Sequence, residues 1–403
     1  MYLTTSMNDA IPSKENPFVL AGAIFSALLI LSIPLSTAVA GVLTILLLLC
    51  WLLSAQYRDL PRLLRANRVA ASALSVFALF VVGAFYGDAT SDSAWSMVHK
   101  YRKIGLILIL LPFMGEEKYR RWILLGFVAT SVVSLVGSYL MEMEILPMNR
   151  YGTATFKSRI THNLFMAFFG YYCSYRFCFH TQRRWLWLGL FFLTVFDLFF
   201  VVEGRTGQVV FALLMVLLFF QRFELTRAFI LVPILLAILV GVVLFSGAGA
   251  RFEEGIDNSI DFFKGRENLD TSMGQRLYFW QNSIDLIVKR PIFGYGTGSY
   301  VQEFKHITGD AELLSENPHN EYLMIAVQLG GLGLFAYLLF LGSQWRSLAD
   351  LPGEQRWFAQ AVLLSLVVNS ALNTTFMDHS EGHWYACLIA FSFATISKRR
   401  PAQ

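Results

Sequence analysis

The chain has 403 residues, 56% of them hydrophobic and only 15% charged, with a formal net charge of +4. Its mean hydropathy is +0.53. Soluble domains carry about a quarter charged residues, so an ordinary soluble fold is excluded, and so small a charge spread over loops reports topology rather than an acidic or nucleic-acid partner.

Apolar runs near the length of a bilayer-crossing helix, about 20 residues, recur along the chain. The candidate spans are 17–35, 37–54, 69–86, 96–114, 121–140, 162–179, 185–203, 206–221, 227–246, 319–342, 357–376 and 382–397. They predict an all-α polytopic integral membrane protein of about twelve transmembrane helices, read as one membrane domain over 1–403. The least apolar span is 96–114, which holds Lys100, Arg102 and Lys103. Residues 1–16 lack a basic n-region, so no cleavable signal peptide is expected. Cys50, Cys173, Cys178 and Cys387 fall inside spans and suggest neither a disulfide nor a metal site.

Lysine and arginine set the orientation. Arg58, Arg62, Arg65 and Arg68 follow the second span. Same-side loops carry Lys118, Arg120 and Arg121, then Arg183 and Arg184, Arg222 and Arg227, Arg346 and Arg356, and finally Lys398, Arg399 and Arg400. Both termini are therefore expected in the cytoplasm. The opposite loop "GDATSDSA" has no basic residue.

The outer segment 247–318, between the ninth and tenth predicted spans, is long. Within it "SMGQRLYFWQNSIDLIVKR" places Leu277, Trp280, Ile284 and Ile287 at helical spacing. That predicts a helix lying on the membrane surface or on the bundle. "PIFGYGTGSY" follows as a glycine-rich turn; it lacks the strand and the lysine of a phosphate loop.

"SENPHNEYLMIAVQLGGLG" then runs from Ser315 to Gly333, turning from polar to apolar. Asn317 is read as a helix cap, Pro318 as the first helical residue and His319 as part of the first turn. At about 100° per residue, Ala326, Gly330 and Gly333 fall within about 40° of His319, a small-residue stripe suited to a neighbouring helix. A helix N-terminus keeps a histidine neutral and able to accept a proton. The plainer reading is a polar residue satisfied by interfacial water. Position alone does not choose, since His99, His162, His306, His379 and His383 also lie near the outer face.

"HN" followed by Gly330-Gly331-Leu332-Gly333 resembles the His-Asn-x9-Gly-x-x-Gly pattern of bacterial O-antigen ligases. "VVEGRTGQVVFALL" resembles that family's arginine at the outer start of a helix, and "GQRLYFWQNSIDLIVKRPIFGYGTGS" its arginine-bearing helix in a large periplasmic loop. The resemblance implies a GT-C-like, cofactor-free and metal-independent glycosyltransferase of the bacterial inner membrane, with its site facing the periplasm. Its donor is then O-antigen on undecaprenyl pyrophosphate, and its acceptor a sugar hydroxyl of lipid A-core. His319 takes the role of general base, Arg205 and Arg276 bind pyrophosphate, and Asn320 joins the substrate-binding set. A diphosphate leaving group needs charge stabilisation more than protonation, which two bidentate arginines supply. A positioned base contributes about 10²–10⁴-fold.

Two outer basic clusters are further candidates for phosphate contacts: Lys100, Arg102 and Lys103, and Arg150, Lys157 and Arg159. Asp197, deep in a span, is either functional or structurally paired. Neither Glu142 with Glu144 nor Asp378 with Glu381 sits at metal-ligand spacing, and no metal is expected. The alternative functions are O-antigen polymerase, protein O-oligosaccharyltransferase and, more distantly, a secondary transporter. A transporter calls for polar groups at mid-membrane rather than at one face.

Overall fold

The computed structural model describes residues 16–149, 152–155, 158–202, 204–246, 248–266, 268–309 and 315–396. The described residues are almost wholly helical, with one isolated bridge between Asn149 and Gly152. In order the helices are α1 Pro17–Ser32, α2 Thr37–Leu53, α3 Leu60–Ala66, α4 Arg68–Gly83, α5 Ser91–Met114, α6 Glu117–Glu142, α7 Arg159–Phe179, α8 Arg184–Phe196, α9 Arg205–Arg222 and α10 Leu225–Phe245. Then come α11 Ala248–Phe263, α12 Ser272–Lys289, α13 Tyr300–Thr308, α14 Glu321–Ser347, α15 Gly353–Leu372 and α16 His379–Phe393. A π-helical turn, Asp197–Val201, prolongs α8.

Side-chain caps start half of these helices. Asn16, Ser36, Asn67, Thr90, Ser158, Thr271, Asn320 and Asp378 each accept from backbone amides of the turn that follows. Such caps satisfy amides that would otherwise be orphaned where water is scarce.

A helix stands at each of the twelve expected span positions. Length and apolarity alone qualify five of the described helices as spans, or six if the bent pair Thr37–Leu53 and Gln56–Ala66 counts as one. That is fewer than the sequence suggested. Helices α1 and α4 are apolar but only 16 residues long, about 24 Å at 1.5 Å per residue against a hydrocarbon core of about 30 Å. Helices α7 and α16 fail on composition, because they face protein. Every residue from Thr161 to Tyr175 and from Ser380 to Phe393 is buried. In contrast α10 buries only Ala228 and exposes Phe229, Ile230, Ile234 and Leu244, as a lipid-facing helix does.

Within 247–318, α12 begins and ends where the sequence placed it, but with a different buried face. Phe279, Ser283 and Leu286 are buried, while Ile284 and Val288 are exposed. Phe279 packs on Phe304 of α13 at 5.6 Å, and Trp280 Nε1 donates to the Pro318 carbonyl at 2.9 Å. Phe304 on α13 and the Pro318 carbonyl before α14 decided the rotation; spacing alone could not see them.

Helix α14 is broken at Gly330, whose φ of 63° and ψ of −161° are not helical. The glycine-rich turn fills the break. Tyr295 N and Gly296 N donate to the carbonyls of Val327 and Gln328 at 3.0 and 2.8 Å. On the other side Gly331 N and Leu332 N donate to the carbonyls of Pro291 and Ile292 at 2.7 and 3.2 Å. All four backbone groups freed by the kink find partners, the condition for irregular backbone inside a membrane bundle. The small-residue stripe therefore admits a turn rather than the helix expected from sequence. Thr297 pins this turn to α4, its N and Oγ1 donating to the carbonyls of Gly83 and Phe80 at 2.9 and 2.7 Å.

Candidate active site

The N-terminal ends of α7, α14 and α16 meet the third and fourth turns of α5 and the C-terminal end of α15 around a cavity of about 510 Å³. Its walls include His99, Lys100, Arg102, Lys103, His319, Asn373, Asp378, His379 and Glu381. Converging helix N-termini make this end of the bundle favourable for anions.

His319 sits at the mouth of α14, half-buried, in a left-handed conformation with φ of 50°. The expected cap is shifted. Asn320, not Asn317, caps α14, its Oδ1 accepting from Leu323 N at 3.1 Å. Asn317 instead accepts from His319 N at 2.8 Å and from Thr374 Oγ1 at 2.7 Å, which holds the histidine's backbone in its tight turn. His319 thus precedes the helix, and the angular count that aligned it with Gly330 does not hold. The ring lies 6.5 Å from Phe279, and Nδ1 is 3.5 Å from Asn373 Oδ1. Burial lowers the histidine's pKa first and the Arg276 charge lowers it further, against a small opposing pull from Asn373. Desolvation and the guanidinium both favour the neutral imidazole over the charged one.

Arg205 is the first residue of α9 and Arg276 lies in the second turn of α12. Both line a second cavity of about 440 Å³ with Val209, Phe252, Ile256, Ile260 and Phe263. Arg205 donates to Ser272 Oγ at 2.5 Å. A Cβ on Gly255 would stand 2.7 Å from an Arg205 terminal nitrogen, so the bare glycine makes room for the guanidinium on α11. Burial lowers the Arg276 pKa, and the Arg205 charge lowers it again. Two mutually repelling cations held at one apolar cavity suit a multiply charged anion carrying an apolar tail. Leu372 lines this cavity and Asn373 the first, so the two adjoin where α15 ends, with His319 on the wall of the first, Arg276 on that of the second, and the Arg276 charge felt at His319.

The structure does not bring every predicted residue to this centre. Lys103 reaches the first cavity, but its ammonium donates to the carbonyls of Phe376, Met377 and Asp378 at 3.0, 3.1 and 3.0 Å. Its three donors are spent on holding the turn before α16, which argues against the substrate-binding role read from sequence. Asn320 is similarly engaged, capping α14 and donating to the Ala371 carbonyl at 3.1 Å. Arg159 lines a separate cavity of about 230 Å³ with Met148, Gly152 and Val202, not that of His319. Arg150 and Lys157, like Lys398, Arg399 and Arg400, lie outside the described residues. Lys100 pairs with Glu316 at 3.4 Å at the rim. Arg102 and His99 are shared with an apolar groove of about 510 Å³ between α2, α4 and α5.

Asp197 is paired. It is fully buried, accepts from Ser138 Oγ and meets His162 Nε2 at 2.9 Å. No group of three metal-capable side chains occurs among the described residues. The residues that sequence reasoning missed are Asn373 and Glu381. Their signal was "NTTFMDHSEGH", a dense polar cluster between two apolar runs.

Residues 190–338 match the family model described as O-Antigen ligase, which bears out the resemblance read from the sequence. The matched stretch contains Arg205, Arg276, His319 and Gly330 and leaves Lys103, Asn373 and Glu381 outside. A Haemophilus influenzae protein described as uncharacterized is 28% identical over 101 residues, 24% of this chain and 25% of that protein. A Rickettsia conorii protein provisionally named a polysaccharide ligase is 28% identical over 95 residues, 21% of this chain and 22% of its own. The matches thus span about a quarter of these relatives' length.

Proposed function

We propose, starting from the O-antigen ligase match, that this chain is a membrane glycosyltransferase joining a lipid-linked polysaccharide to a lipid-borne acceptor. The donor is O-antigen on undecaprenyl pyrophosphate and the acceptor a sugar hydroxyl of lipid A-core. The observation that carries this reading is that His319 lines the basic polar cavity and feels the charge of Arg276, which lines the adjoining two-arginine apolar one.

In this reading the diphosphate lies against Arg205 and Arg276, with the polyprenyl tail along Phe252, Ile256, Ile260 and Phe263. The acceptor sugar enters the cavity of His99, Lys100 and Arg102, and its acyl chains follow the neighbouring apolar groove. His319 takes the proton of the acceptor hydroxyl as its oxygen attacks the anomeric carbon. The bond to the diphosphate breaks, and both electrons leave with the phosphate oxygen. Two fixed guanidiniums neutralise that charge without reorganising. Attack from the face opposite the diphosphate inverts the anomeric centre. No step calls for a metal or cofactor. The chain would lie in the bacterial inner membrane as one domain, both termini cytoplasmic and 247–318 in the periplasm.

Purified protein given undecaprenyl-pyrophosphate glycan, with and without lipid A-core, tests the proposal. Glycan on lipid A-core, with no lengthening of donor alone, is the expected result. His319→Ala should abolish it while the protein still accumulates. Donor lengthening with lipid A-core ignored would make the chain a polymerase, and transfer to a protein acceptor an O-oligosaccharyltransferase.

A further inference from the structure

We propose that Glu381 is a positioning residue for the base: it fixes the side-chain amide of Asn373 and, through that amide, the tautomer of His319. The proposal rests on His319 being the base.

Glu381 is fully buried. Its carboxylate accepts from Asn373 Nδ2 at 3.0 and 2.9 Å, from Asn369 Nδ2 at 2.8 Å and from Thr161 Oγ1 at 3.2 Å. An amide can be turned either way by its surroundings. Here an acceptor-only carboxylate draws the Asn373 nitrogen to itself and turns the oxygen toward His319, 3.5 Å from Nδ1. An amide oxygen can only accept, so Nδ1 is the ring nitrogen that keeps its hydrogen. Nε2 is then left with the lone pair, as a base requires. At 3.5 Å the contact is long; catalytic hydrogen bonds of unliganded sites tighten when substrate fills them.

The other charges near this chain of contacts have tasks of their own. Asp378 caps α16 through the amides of Ser380 and Glu381 at 2.8 and 2.9 Å. Lys103 is held by three carbonyls. Glu321 accepts from Phe376 N at 2.9 Å. Lys100 pairs with Glu316. Arg276 acts on His319 from α12, and His99, Arg102 and His379 stand on the cavity wall. Glu381 also ties α7, α15 and α16 together, but a glutamine of the same size would do that without burying a charge. Burial and then the Asp378 charge push the Glu381 carboxyl up to about 8, and it is the ionised form, with no donor, that forbids the Asn373 amide to turn over.

E381Q introduces a donor and lets that amide flip. The expected result, read on the alkaline side of about 8 where Glu381 is ionised, is a kcat lower by about 10–100-fold, the size of effect seen for partners behind metal-bound histidines, with donor KM unchanged. Adding N373D to E381Q places a carboxylate beside Nδ1 and lets the new glutamine amide donate to it, so kcat should recover by about tenfold. Wild-type kcat in E381Q, or a loss that N373D does not relieve, overturns the proposal. Should E381Q fail to fold, N373A removes the oxygen facing Nδ1 and should lower kcat at unchanged donor KM; wild-type kcat there overturns it equally. His319→Ala separates the premise: transfer by that variant removes the base itself, whereas an inactive His319→Ala beside a fully active E381Q sinks only the positioning role.

Discussion

Replacing Gly330 by alanine should cost far more than a glycine-to-alanine change elsewhere in the same helix. The backbone at φ 63° and ψ −161° lies in a region that is essentially glycine's alone, and strain of this kind costs about 1–3 kcal/mol. A Cβ there would stand 2.3 Å from the Ile292 carbonyl carbon and oxygen and 2.6 Å from Phe293 N. These are backbone atoms and cannot swing aside, so the turn must withdraw. Withdrawal gives up the bonds of Gly331 N and Leu332 N to the Pro291 and Ile292 carbonyls, and buried backbone groups left unpaired cost about 1–3 kcal/mol each. The combined cost is at least about 3 kcal/mol, against a total stability of about 5–15 kcal/mol for ordinary proteins. For a chain of this length that corresponds to a fall in Tm of about 4 °C. Gly342, with nothing within 4 Å of a would-be Cβ, is the control, and alanine there should be neutral or mildly stabilising. Thermal unfolding of both variants in detergent, followed by the monodisperse fraction, makes the comparison. Midpoints within about 1 °C of each other would refute the argument that backbone packing at the kink makes position 330 a glycine.

Other consequences follow from the two cavities. Arg205→Lys and Arg276→Lys each keep the charge but lose the planar fork, so either should reduce transfer at least about tenfold; full activity in both would contradict paired bidentate binding. Because burial and then Arg276 hold His319 of the substrate-free protein below its ordinary 6.5, the acidic limb of kcat/KM should have its midpoint below that value. A limb above 6.5 would show the base to be another group. The stability linkage has the same sign: the unfolded chain binds the proton more readily, so stability present above the unfolded pKa falls as the pH drops toward the folded one. With no metal-capable cluster among the described residues, transfer should survive excess chelator, and loss restored by one specific divalent ion would reverse that expectation.

Helix positions were legible because apolar runs and caps are local properties. Asn16, Thr90 and Asp378 cap helices in the same local way, although the sequence reading named only Asn317 as a cap. Arg205, Arg276 and His319 were legible from local pattern joined to a family resemblance. What stayed hidden depends on partners distant in sequence. Lys103 looked like a free outer cation until three carbonyls from 376–378 surrounded it. The buried face of α12 was set by Phe304, and the shift of the α14 cap by the Thr374 hydroxyl that engages Asn317. Glu381 was weighed only as a metal ligand; its partners Asn369, Asn373 and Thr161 lie on two other helices.

The spacing between His319 and Gly330 acquires a mechanical meaning from the fold. The helical piece from Glu321 to Leu329 is about 13 Å long at 1.5 Å per residue. At its far end four backbone bonds clamp the kink to the 291–296 turn, and Thr297 carries that clamp to α4. At its near end Asn320 ties the mouth to Ala371, and Asn317 ties it to Thr374. The histidine is thus referenced to two fixed points by a rigid strut. Inserting or removing one residue would turn the mouth by about 100° against the clamp, carrying the imidazole away from Asn373 and from the junction of the two cavities. A fixed interval between a base and a distant glycine is therefore what this geometry demands, even though Gly330 touches neither cavity. The glycine end of the interval serves packing and the histidine end serves chemistry, and the strut between them makes the one depend on the other.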